Sequence, residues 1–253
     1  MAKNNHSDTD NKTKLEKLLK VDRSLSGRDS LNEVTNFAKT LARIENALVV
    51  ISDMTERRSH IFMGGFGKCL GLNDYHQEES IWEKRILSLM TKEEQEEKYI
   101  AELRFFHYLR HLPKNKRKDH YLISKLRFRF ADGNLHNVLH RMYYILDDDN
   151  DTVKYAVCIY SPMIFDFKGK SHVVDSTTGI SEELTYSSNV TILSNRERQV
   201  LSLIDSGMRS SEIAQQLNIS IHTVSRHRQE ILSKLQVKNS HEACCIAKNI
   251  GLI

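Results

Sequence analysis

The run Ser220-Ile-His-Thr-Val-Ser-Arg-His-Arg-Gln-Glu-Ile-Leu-Ser-Lys-Leu235 decides how the last quarter of the chain is read. At about 100° per residue, Val224, Arg228, Ile231 and Leu235 gather on one side of a helix. His222, Arg226, Gln229 and Ser233 gather on the other, with Ser225 at its edge. The first side packs; the Arg228 stem can lie along apolar surface while its charge reaches out. The second side is slim, hydrogen-bonding and cationic, as a helix lying in a DNA major groove must be. Ser220 is a good N-cap for this helix.

Working outward, Ser194-Asn-Arg-Glu197 is a capping box, followed by Val200, Leu201 and Ile204 at helical spacing. Gly207 can end that helix in the left-handed conformation that only glycine adopts cheaply. A second helix over about 211–217 buries Ile213, Ala214 and Leu217, and Asn218 sits at the following turn.

Leu193-Ser194-x-Arg196-Glu197-x-x-Val200-Leu201, Gly207, Glu212-Ile213-Ala214-x-x-Leu217-x-Ile219-Ser220, Thr223-Val224-x-x-His227, Ile231-x-x-Lys234-Leu235-x-Val237 and Gly251-Leu252-Ile253 resemble the LuxR (GerE-type) DNA-binding domain. The resemblance covers about a quarter of the chain without gaps. It implies a four-helix, all-α helix-turn-helix domain over 191–253 and a bacterial transcription regulator that binds double-stranded DNA. It implies that Ser225, Arg226 and Gln229 face bases, that Ser220, Thr223, Lys234 and the amino end of the third helix serve the phosphates, and that Ser211 and His222 belong to the same DNA-binding set. It also implies that a fourth helix, about 240–249, pairs two copies through Ala243, Cys244 and Ala247. Three positions depart from the family pattern. Arg209 stands where a capping Ser is frequent, so Ser210 caps or the cap is lost; Ser225 and Ser240 stand where a basic residue is common.

The rest of the chain has a different grammar. Leu31, Val34, Phe37, Ala38, Leu41 and Ile44 recur at spacings of three and four, an amphipathic helix. Ala47–Ser52 and Ser59–Gly65 read as strands, and Trp82–Met90 as a helix. Thr91-Lys-Glu-Glu94 is a capping box opening a long helix that Pro113 stops. Three strands follow, 121–131, 135–146 and 152–162, joined by Asp132-Gly-Asn and Asp147-Asp-Asp-Asn-Asp. Leu122, Leu126, Phe128 and Phe130 share one face of the first, and Lys125, Arg127 and Arg129 the other, the signature of an antiparallel sheet with one solvated side.

This order resembles a PAS domain, with Arg127-Phe-Arg-Phe-Ala-Asp-Gly-Asn-Leu135 as its hairpin and Phe66-Gly-Lys-Cys-Leu-Gly71 as the segment before its helices. The expected fold class is therefore α+β: a PAS-like antiparallel sheet with helices, then the helix-turn-helix domain. The expected organisation is a flexible arm over 1–30, a PAS-like sensor or dimerisation domain over 31–165, a polar linker over 166–190, and the DNA-binding domain. A homodimer is expected, with a small-molecule or protein signal at the PAS-like domain; the alternative is a structural dimerisation module without a ligand.

Several functions lack their signatures. The strand–helix alternation of a receiver is missing, and Trp82 is not followed by the Tyr and Asp of an acyl-homoserine-lactone pocket. Gly64-Gly-Phe-Gly-Lys-Cys69 fails as a phosphate loop, having Phe62 and Cys69 at its defining ends. His107 reads as a partly exposed structural histidine rather than a haem ligand, Cys69 as a packed thiol, and Pro113–Lys118 as a solvated basic loop. No catalytic residues, metal or cofactor are expected. The four cysteines show no CxxC spacing, no run of about 18 apolar residues exists, and the start lacks a signal-peptide core, so a cytoplasmic protein off the membrane is expected. The net charge of +4 is compatible with a polyanionic partner but does not select one.

Overall fold

The computed structural model describes residues 8–19, 28–147, 152–184, 193–235, 237–249 and 252–253. Helices α1 (Asp8–Leu18) and α2 (Arg28–Ile44) lead into strands β1 (Leu48–Asp53) and β2 (Arg58–Met63). Three shorter elements follow: α3 (Gly65–Cys69), β3 (Gln77–Glu78) and α4 (Lys84–Leu87). The long helix α5 (Lys92–His111) and the turn α6 (Lys114–Arg117) precede β4 (His120–Arg129), β5 (Leu135–Leu146), β6 (Val153–Pro162), β7 (Ser171–Asp175) and β8 (Ser181–Glu183). All strands join one antiparallel sheet in the order β3-β2-β1-β6-β5-β4-β7-β8.

Strand alternation sorts the sheet's two faces. Leu48, Val50, Leu122, Leu126, Phe128, Val138 and Met142 belong to the main core, which α5 and the loops around α3 and α4 also enter. On the opposite face Val49, Ile51, Tyr155, Val157 and Ile159 meet Ala38 and Ala42 of α2. Strand β1 is thus buried on both sides, which explains its unbroken apolar run. Gly64 follows β2 where a Cβ would lie 2.3 Å from the Ala42 carbonyl oxygen, so only glycine lets β2 leave the sheet against the end of α2.

Four sequence expectations change. The arm over 1–30 contains α1, with Leu15 and Leu19 buried. Helix α1 lies against α5, Lys12 sits over the Trp82 ring, and Asn11 donates to Glu96. Leu15 and Leu19, with Leu18 partly buried beside them, give the arm enough apolar surface to dock, although its composition is polar. The stretch 166–190, expected as a linker, supplies β7 and β8, which extend the sheet along the free edge of β4. Its Ser, Thr and Gly make the tight connection: Asp175 accepts from the Thr177 and Thr178 amides, and Gly179 has φ +72°. Residues 185–192 lie outside the described residues.

The helix expected over Trp82–Met90 is a single turn, because Glu83 turns inward to accept from Ser52 and Ser59. The Thr91 box is half formed: Thr91 Oγ1 accepts from the Glu94 amide, but Glu94 instead holds the Arg127 amide and guanidinium. Two single residues also differ. His107 is fully buried, and Cys69 is exposed. Basic residues 114–118 form a surface turn that Arg117 ties back to the Leu112 carbonyl. Among the described residues no helix is long and apolar enough to cross a membrane.

Candidate nucleic-acid interface

Four helices build the C-terminal region: α7 (Asn195–Asp205), α8 (Ser210–Gln216), α9 (Ile221–Leu235) and α10 (Ser240–Asn249). The Ser194–Glu197 capping box is complete, with the Ser194 amide 2.6 Å from the Glu197 carboxylate. Gly207 has φ +84° and turns the chain out of α7. Arg209 cannot accept a hydrogen bond, so it provides only half a cap for α8: its amide donates to Glu212, 2.6 Å away. Ser210 does not cap; its hydroxyl accepts from Arg228. Asn218 takes a left-handed φ of 54° at the turn, and Arg196 closes the end of α8 by donating to the Leu217 carbonyl.

Helix α9 starts as expected. The Ser220 hydroxyl accepts from the Thr223 amide at 3.0 Å and lies 2.8 Å from the Thr223 hydroxyl. Its inner flank, Val224, Ile231 and Leu235, is buried with Val200, Leu201, Ile213, Ala243 and Ala247. Its outer flank is open: His222, Ser225, Arg226, Gln229 and Ser233 are exposed, as are Ser211 and Ser220, while Thr223 is half-buried. Arg226 keeps 78% of its side chain in water and makes one i,i+4 bond to Glu230 at 2.9 Å. Ser225 folds back on the Ile221 carbonyl. His227 is half-buried between the flanks, 3.5 Å from Glu230.

Four of the expected site residues, Lys234, Ala243, Cys244 and Ala247, are engaged elsewhere, as is Arg228 of the packing side. Lys234 is held by both Glu197 oxygens at 2.7 Å, locking the start of α7 to the end of α9. Burial pushes the Glu197 carboxyl up, but the Lys234 and Ser194 hydrogen bonds outweigh it and leave it below its ordinary value. Arg228 ties α8 to α10 by donating to Ser210 and Ser240. Ala243, Cys244 and Ala247 face inward and are buried against the other helices, so their small surfaces are taken by their own chain. The outer side of α10 carries His241, Cys245 and Lys248 instead. Sequence reasoning gave Glu197 only its capping role; the pair with Lys234, 37 residues away, arises from tertiary packing and leaves no local signal.

Residues 191–247 match the family described as bacterial regulatory proteins, luxR family. The chain is 44% identical over 59 residues to the transcriptional regulatory protein DesR of Bacillus subtilis, covering 23% of this chain and 30% of that protein. It is 44% identical over 69 residues to the Fimbriae Z protein of Escherichia coli (27% and 33%). Over 86 residues it is 35% identical to the oxygen regulatory protein NreC of Staphylococcus aureus (30% and 40%). The chain thus spans about a third of the length of the curated relatives it matches. Among solved structures, a Vibrio cholerae VqmA dimer in the absence of its target DNA aligns over 88% of each chain at 14% identity, with a TM-score of 0.35. Escherichia coli SdiA aligns over 96% of this chain and 97% of its own at 14% identity, with a TM-score of 0.26. Both scores are too low to bear on the fold. The C-terminal region is a GerE/LuxR-type helix-turn-helix domain.

Proposed function

We propose that this chain is a sequence-specific regulator of transcription that binds double-stranded DNA as a homodimer in the bacterial cytoplasm. The observation that carries the reading is the two-sidedness of α9. One flank is wholly buried, while the other presents exposed His222, Ser225, Arg226 and Gln229 with no apolar cover. In this reading Arg226 and Gln229 meet base edges, with His222 and Ser225 beside them. Ser211, Ser220, Thr223 and the amino end of α9 serve the phosphates. Lys234 holds the fold together and makes no DNA contact.

The sheet region is read as a PAS-like sensor that controls the DNA-binding domain. The order β2-β1-β6-β5-β4, with α3 to α5 gathered against one face, supports this reading. Its second role, as a dimerisation module, is favoured by a separate feature. Helix α2 leaves Phe37 and Ile44 at 65% and 77% exposure. Beside it runs a groove of about 980 Å³ lined by Leu41, Tyr143, Ile145 and Val157. Large exposed apolar side chains bordering such a groove suit the same patch of a second copy.

The test is a binding measurement on a site selected in vitro from random duplexes. Arg226→Ala and Gln229→Ala should each weaken that site by roughly 1–3 kcal/mol and spare unrelated duplexes. Equal losses on every duplex would reassign both residues to the phosphates; no loss on any would end the α9 reading. Phe37→Glu should shift sedimentation towards the monomer if the groove holds a second copy.

A further inference from the structure

The interior of the sheet region holds more polar groups than its fold uses. Strands β5 and β6 pair His140 with Tyr160 and Met142 with Cys158. His140 and Cys158 are therefore diagonal neighbours on the inner face. Helix α5 lays Glu102 over them. One donor atom from each of Glu102, His140 and Cys158 lies within 4.8 Å of the others, and all three residues are buried. Neither ring nitrogen of His140 has a hydrogen-bond partner, nor does the Tyr144 hydroxyl, which borders Glu102 and Cys158. The Tyr160 ring stacks on His140 at 4.8 Å. Buried nitrogens and hydroxyls left unpaired cost the fold free energy unless something else completes them.

We propose that Glu102, His140 and Cys158 form a binding site for one divalent transition-metal ion of the zinc type.

Three further considerations agree. The first is size. A cavity lined by Glu102 and Cys158, though not by His140, has a volume of about 20 Å³, room for one water-sized body next to the three donors. Pockets for organic ligands run to roughly 300–1,000 Å³. The second is charge. Glu83 and Glu102 are buried with a single ammonium, Lys98, which donates to Glu102. Among the fully buried groups one negative charge is left over; the half-buried Lys12 ammonium also acts on Glu83. A divalent ion bound with Cys158 as thiolate, its proton released to solvent, brings the enclosed charge to zero. The third is donor chemistry. Thiolate plus imidazole plus carboxylate selects zinc, cobalt or ferrous ions over calcium or magnesium, which want oxygen alone. Donors around a tetrahedral ion stand about 3.3–3.8 Å apart, so binding draws these three in by up to about 1.5 Å. Three protein ligands leave one position for water or the Tyr144 hydroxyl.

This site does not rest on the DNA-binding reading, and its test uses no DNA. The metal-free full chain is titrated with Co²⁺ and followed by absorption and cobalt-edge X-ray absorption. The expected result is one ion per chain, a thiolate-to-cobalt charge-transfer band, one sulfur in the coordination shell and displacement by Zn²⁺. Cys158→Ser should abolish the band. His140→Gln and Glu102→Gln should each weaken binding at least about tenfold, with far-UV circular dichroism unchanged. Two rival sites serve as controls. Cys245→Ser removes the half-buried thiol 3.8 Å from His241, and Glu230→Gln disables the Glu197–His227–Glu230 group; neither should alter the band. A cobalt complex without sulfur, a band that survives Cys158→Ser or vanishes in Cys245→Ser, or no stoichiometric binding by the wild-type chain would each overturn the proposal.

Discussion

The helical C-terminal region and the interior of the sheet region treat buried polar groups in opposite ways. In the former, Glu197 is held by Lys234 and by the Ser194 amide, and Arg228 by two hydroxyls. The one buried polar side-chain atom without a hydrogen-bond partner there, among the described residues, is His227 Nδ1, which faces Glu230 at 3.5 Å. In the latter, His107, His140, Tyr144 and Trp82 all keep side-chain nitrogens or hydroxyls with no hydrogen-bond partner. A region whose buried polar groups are paired spends them on holding its shape. One that leaves them open carries them at a cost that shape alone does not explain.

The contrast can be broken most sharply at Lys234. Lys234→Ala leaves the Glu197 carboxylate, 2% exposed, with one partner fewer. Because Lys234 keeps 37% of its side chain in water, the expected loss is roughly 2–3 kcal/mol. Hydrogen exchange of the α7 and α9 amides reads it, and unchanged protection would show the pair to be ornamental. The next effect comes from acid. Burial, then the nearby positive charges of His111 and Arg110, push the His107 ring down to about 3 from its ordinary 6.5. The unfolded chain takes up that proton near 6.5, so stability is full above 6.5 and drains as pH falls towards 3. Between pH 7 and 5 this one ring should cost about 2 kcal/mol. His140 is shifted in the same direction by burial. Urea melts at the two pH values measure the change, and His107→Leu should flatten it.

Smaller effects sharpen the comparison. Tyr144→Phe, in metal-free protein, removes a buried hydroxyl that has no partner and should raise stability by up to about 1 kcal/mol. A loss instead would mean that the hydroxyl is satisfied in solution. Gly207→Ala forces a Cβ into φ +84° and should cost about 1 kcal/mol, read by the same melts. Nothing crowds Gly207, so the cost is conformational alone.

Features legible in the sequence were local ones. The Ser194 box, Gly207, Asn218 and the Ser220 cap each depend on residues within a turn of one another, and each stands where its pattern put it. The three long strands were equally plain, because alternation and Asp132-Gly-Asn134 are short-range signals. Illegible features were decided at a distance. Glu94 looked like a capping partner until β4 brought Arg127 to it. Residues 171–183 looked like a linker because an edge hairpin needs few apolar side chains, here Val173 and Val174. Ala243, Cys244 and Ala247 were small enough to suit a dimer seam, but small residues equally let α10 approach its own neighbours. The Glu102–His140–Cys158 group spans 56 residues and three elements, without motif spacing.

Helix α1 has a practical consequence. Its final turn runs into Leu19, which walls the small cavity, while Lys12 rests 5.2 Å from the Trp82 ring centre and the helix touches α10. At the opposite end the Leu252 amide is tethered to the Ala247 carbonyl, and Leu252 and Ile253 lean on the core. Residues 8–19 and 252–253 are both part of the packed structure. A preparation shortened to residue 28 would uncover Trp82 and slacken the seat of α10 at once, so purification handles on this protein belong on cleavable spacers, and assays on material from which they have been removed.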